Sequence, residues 1–70
     1  MDYVEWAEEY RENALRVKQV IKKKQMQLNE KNISADLHKR LTDEIKEYRR
    51  IFYELCEVER TLRERAEGSA

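Results

Sequence analysis

Apolar residues recur along the first half of the chain at Tyr3, Ala7, Tyr10, Ala14, Val17, Ile21 and Leu28, with Lys24 in the one slot that breaks the series. The steps alternate four and three, which lines up one stripe of an α-helix as in a heptad seam. A second series follows at Leu37, Leu41, Ile45, Tyr48, Phe52, Leu55 and Leu62, interrupted once by Glu59. Between the two series the pattern stops, and Asn29, Asn32 and Ser34 cluster there. The chain therefore predicts two long amphipathic helices, at about 2–31 and about 35–66, with a loop at about 32–34 and a short tail at 67–70. Each helix would be about 45 Å long.

The ends carry their own signals. Asp2 and Glu5 have capping-box spacing, so Asp2 can accept from the amide of residue 5 while Glu5 reaches back. Ser34 is a good N-cap for the second helix, and Asp36 in its first turn suits the helix dipole. Asn32 is a candidate for a left-handed residue ending the first helix, and Gly68 for a stop after the second. So short a loop makes the helices antiparallel neighbours.

The numbering supports a hairpin over one continuous helix through the break. Leu28 with Leu37, Ile21 with Ile45, Val17 with Tyr48, Ala14 with Phe52, Tyr10 with Leu55 and Tyr3 with Leu62 all total 65 or 66. Charge agrees. The acidic start of helix 1 would lie beside Arg60, Arg63 and Arg65, and its basic end beside Asp36, Asp43, Glu44 and Glu47. The expected fold is all-α, an antiparallel coiled-coil-like two-helix hairpin. Two helices give a thin core, and a chain this small needs further burial or a partner. Assembly of two hairpins into a homodimeric four-helix bundle is the simplest remedy.

The two flanks of the seam differ. One carries Trp6, Val20, Leu37, Ile51 and Val58, more apolar surface than a lone helix pair covers, and it reads as an interface. The plainer alternative is that these residues widen the hairpin's own seam. The other flank carries Arg11, Lys18, Arg49 and Arg63, with Lys22, Lys46 and Arg60 nearby. This stripe is either a solvated charged face or a phosphate-tracking surface for nucleic acid.

Composition narrows the function. Fifteen basic and fifteen acidic side chains give zero net charge, so any pull toward nucleic acid or membrane must be local. No apolar run approaches a membrane span of roughly 20 residues. The opening MDYVEWAEEY is acidic where a signal peptide would be basic and then apolar. A single cysteine, Cys56, fits a reduced, cytoplasmic setting.

Candidate chemistry is sparse. His38, the only histidine, lacks partners at zinc spacing and reads as a surface residue near the loop. Cys56 has arginines near but no histidine base, so a small half-buried side chain is the better reading. No Glu-x-x-His motif of a di-iron bundle occurs, and Glu59 in the seam suggests a salt bridge with Arg63. There is no Gly-rich phosphate loop or Ser-His-Asp set. The expectation is a protein that is not an enzyme and takes no cofactor, metal or small-molecule substrate.

The opening MDYVEWAEEYRENALRVKQVI and the ending IFYELCEVERTLRERA resemble small uncharacterised helical-hairpin proteins carried by prophages and mobile elements of Firmicutes bacteria. The similarity rests on the Tyr-x-x-Trp-Ala start and the Tyr-Glu-Leu-Cys segment. It implies a bacterial cytoplasmic protein and no activity. Two functions remain: a protein–protein interaction module or small structural subunit acting through the apolar flank, and a nucleic-acid-associated accessory protein acting through the basic flank.

Overall fold

Asp2 starts the first helix. In the computed structural model, which describes residues 2–68, its carboxylate accepts from the amides of Val4 at 3.0 Å and Glu5 at 3.3 Å. That satisfies two of the free N–H groups every helix start leaves. Helix α1 then runs Tyr3–Leu28. Helix α2 runs Ala35–Gly68, capped by Ser34, whose Oγ accepts from the Leu37 amide at 3.2 Å. The Ser34 carbonyl takes the His38 amide at 2.9 Å, so the helical ladder begins there.

The first helix stops about a turn sooner than its pattern predicts. The Asn29 amide donates to Gln25 O at 3.1 Å and Met26 O at 3.3 Å, and the Glu30 amide to Gln27 O at 3.2 Å. Such tightening closes a helix without a left-handed residue. No described residue has positive φ, so Asn32 does not play that part. Beyond Leu28 the next seam position is the exposed Lys31, and the apolar Ile33 that follows falls off the stripe, so further helix would bury little against α2. The second helix continues past Ala66 to Gly68, while residues 69–70 of the expected tail lie outside the described residues.

The two helices pack along their length as a hairpin of 55 × 14 × 13 Å. Its radius of gyration is 16.2 Å, where a compact 70-residue domain would have about 11 Å. The buried set is Ala7, Ala14 and Ile21 from α1 and Leu41, Ile45 and Leu62 from α2, with no buried polar or charged residue among those described. Tyr3, Tyr10, Val17, Leu28, Tyr48, Phe52 and Leu55 are half-buried around them. All thirteen belong to the two apolar series. Leu37 does not join them: it is 37% exposed, because the heptad step back from Leu41 and Ile45 falls on residue 38. It stands at the edge instead.

The register is also shifted. The ion pairs between helices, Lys24–Glu44 and Glu8–Arg63, have numbers that total 68 and 71 rather than 65 or 66. Long side chains reach about a turn along the axis, which accounts for the larger value. With so little core, each member should matter. Ile45→Ala should lower unfolding free energy by about 2–4 kcal/mol and Ser34→Ala by about 1 kcal/mol, read from urea denaturation. An Ile45→Ala change below 1 kcal/mol would show that the seam is not the core.

Candidate interaction edges

A hairpin has two long edges, and contacts between the helices identify both. On one, Lys24 of α1 pairs with Glu44 of α2, and a groove beside it is lined by Lys24, Gln27, Leu37, Arg40, Leu41 and Glu44. Seven-residue steps from Gln27 along α1 give Val20, Asn13 and Trp6. The same steps from Leu37 and Glu44 along α2 give Ile51 and Val58. Residues seven apart on a coiled-coil helix share a row. The five apolar candidates therefore fall on one edge, outside the seam.

Their exposure differs. Ile51 is 40% exposed, and Trp6, Leu37 and Val58 are each 37% exposed. Val20 is half-buried, so it belongs partly to the seam. The Trp6 ring is tilted against Tyr10, with centroids 6.5 Å apart, which ties this row to the core beneath it. The edge is not continuous. The Lys24–Glu44 bridge crosses it and separates Leu37 from Trp6, Val20, Ile51 and Val58.

Lys24 fills the polar slot in the first apolar series. Its ammonium turns to this edge, bonds Glu44, and lies 5.6 Å from the centre of the Tyr48 ring. The bond from Lys24, with help from the positive charges of Lys24 and Arg40, holds the Glu44 carboxyl below its usual 4.5. A lowered carboxylate pKa adds stability that is complete above the unfolded value and lost as pH falls through the folded one.

The opposite edge is marked by Arg63 reaching Glu8 at 3.5 Å, and by a groove lined by Gln25, Leu28, Thr42, Ile45, Lys46 and Arg49. Glu59, the polar slot of the second series, is bonded by Arg63 Nε at 2.8 Å. The Arg63 guanidinium is pushed above its ordinary value, chiefly by that bond. Arg63 is thus half-buried and already neutralised, which removes it from the expected stripe of phosphate contacts. Arg11, Lys18 and Arg49 are exposed, with no ion pair to a described residue.

Compared with known protein families, curated proteins and solved structures, the chain matches none.

Some exposed apolar residues were not foreseen. Val4 is 48% exposed, Leu15 49% and Tyr53 67%, all off the Trp6 edge. Leu15 follows Arg11 by four and Tyr53 follows Arg49 by four, so the signal was available from helical spacing. Cys56 is half-buried, and His38 is exposed, its carbonyl accepting from Thr42 Oγ1 at 2.8 Å. Among the described residues no cluster of three His, Cys, Asp or Glu side chains is placed to hold a metal, and no helix is long and apolar enough to cross a membrane.

The Lys24–Glu44 bridge gives a pH test. Thermal stability should be flat near neutrality and fall as pH drops below about 4.5. Glu44→Gln should lower stability at pH 7 and narrow its gap to the parent by pH 3. A gap that stays constant across that range would remove the bridge from the stability of the fold.

Proposed function

We propose that this chain is a non-enzymatic interaction module that pairs with a second copy through the Trp6 edge, forming an antiparallel four-helix bundle. The observation that carries the reading is surface area. The hairpin exposes 5818 Å², whereas a compact monomer of this mass exposes about 4,700 Å². The excess, roughly 1,100 Å², exceeds the ~800 Å² that each partner loses in a standard interface.

The pattern of apolar rows supports the same conclusion. A helix touching one neighbour needs a two-row seam, while a helix in a bundle core uses a third row beside it. Here that third row is Trp6 and Val20 on α1 and Leu37, Ile51 and Val58 on α2. Laying two such edges together by a two-fold axis is self-complementary, since each copy offers the same patch. The product is a small structural subunit, and the lone Cys56 fits its residence in a reducing cytoplasm.

Analytical ultracentrifugation tests the pairing. The parent chain should be a dimer at micromolar concentration. Trp6→Ala with Ile51→Ala should weaken association by at least about 30-fold, as removal of a central aromatic anchor does. Leu15→Ala, off that edge, should leave it unchanged. A cooperatively folded monomer at tens of micromolar would overturn self-pairing and leave this edge to a different helical partner.

A further inference from the structure

The second edge carries an inference of its own, independent of the pairing. The contacts that define it are Arg63 with Glu8 and the groove holding Gln25, Thr42, Lys46 and Arg49. Seven-residue steps along this row and the row outside it collect Arg11, Lys18 and Lys22 from α1 and Lys39, Lys46 and Arg49 from α2. All six are exposed, and none is in an ion pair with a described residue. The acids on these rows are Glu8, already held by Arg63, and Glu67 in the last turn of α2. A chain of zero net charge thus concentrates free positive charge on one side.

The arrangement works against the hairpin. This side carries Lys18 and Lys22 of α1 and Lys46 and Arg49 of α2, the last two lining a groove that no acid lines. Edge positions of paired helices ordinarily place acid against base. Base against base opposes closure, and local rules broken without a structural gain mark functional surfaces. A polyanion laid along the edge would relieve the repulsion.

Leu15 and Tyr53 rise among these cations, 49% and 67% exposed. The Tyr53 ring is set edge-on to Phe52, centroids 5.8 Å apart at 64°, so it is braced by a core aromatic while its remaining surface faces outward. A braced ring between cations is what unpaired bases stack on, with phosphates tracked by the charges. An anionic bilayer would need a continuous apolar face, and this edge lacks one. We propose that this edge binds single-stranded nucleic acid without base specificity, a base stacking on Tyr53 and phosphates lying along Arg11, Lys18, Lys22, Lys39, Lys46 and Arg49.

The test is fluorescence anisotropy of a labelled 20-nucleotide oligothymidine with the full chain. If about four phosphates are engaged, affinity should fall about 50-fold between 50 and 200 mM salt. Lys46→Gln with Arg49→Gln should weaken binding at least about tenfold at 50 mM salt and flatten the salt dependence. Tyr53→Ala should weaken it at least about fivefold with the salt dependence unchanged. Arg16→Gln with Lys23→Gln, exposed cations off this edge, should change it less than about twofold, and circular dichroism should show every variant equally helical. Absence of binding at 50 mM salt would overturn the proposal, as would equal losses from the Arg16 and Lys23 pair. Duplex of the same length bound equally well, with Tyr53→Ala silent, would overturn the single-strand assignment. Binding to phosphatidylserine vesicles but not to the oligonucleotide would replace nucleic acid with a membrane surface.

Discussion

A pair of helices can bury only the side chains that face each other, and in this hairpin that line of contact holds six buried residues among those described. Two of them, Ala7 and Ala14, are alanines, which bring the helices close but contribute little apolar area. Nothing polar can be accommodated in so narrow a seam without a partner. Each series nevertheless has one charged slot, Lys24 in the first and Glu59 in the second. Both are resolved the same way: the charge leaves the seam and meets an opposite charge at an edge. Lys24 leaves toward Glu44 and Glu59 toward Arg63, on opposite sides of the hairpin. The ion pairs are half-buried at the edges and contribute modest energy each, but they decide what each edge looks like to a partner.

Most of the fold could be read from the spacing of apolar residues, because burial in a two-helix protein follows one period. Thirteen of the fourteen apolar seam residues are buried or half-buried, and the capping residues Asp2 and Ser34 bond as their chemistry suggests. Leu37, read both in the second series and on the apolar flank, belongs to the flank alone, because a step of four from Leu41 leaves the heptad phase. The end of α1 was misjudged for a related reason: helix propensity alone does not stop at Leu28, whereas the lack of a further apolar residue in the stripe does. Register was harder still, since paired residue totals depend on loop length and side-chain reach, neither of which periodicity reports.

The edges were less legible. Exposure of Trp6, Ile51 and Val58 follows from their row, but Val20 in the same row is half-buried, which the row alone does not report. The Glu59–Arg63 salt bridge was readable from its spacing, yet Arg63 also fell in the basic stripe, and its second partner, Glu8, lies on the other helix. Leu15 and Tyr53 lie outside both apolar series, so the seam's period assigns them to no face. Only when the two helices are placed side by side do they share an edge.

The Lys24–Glu44 bridge has one more consequence for a second hairpin docking on the apolar edge. Covering that edge would strip water from the bridge, and a charge left alone there would be costly. Because the two charges already hold each other, with Lys24 also over the Tyr48 ring, docking need not supply a partner for either. A copy shifted by one turn would instead press Trp6 or Ile51 onto the bridge, losing apolar contact and exposing the mismatch. A single polar crossing on an otherwise apolar edge acts in this way as a register mark. The residue that looks like a flaw in the first apolar series would then choose one alignment of two copies over its neighbours.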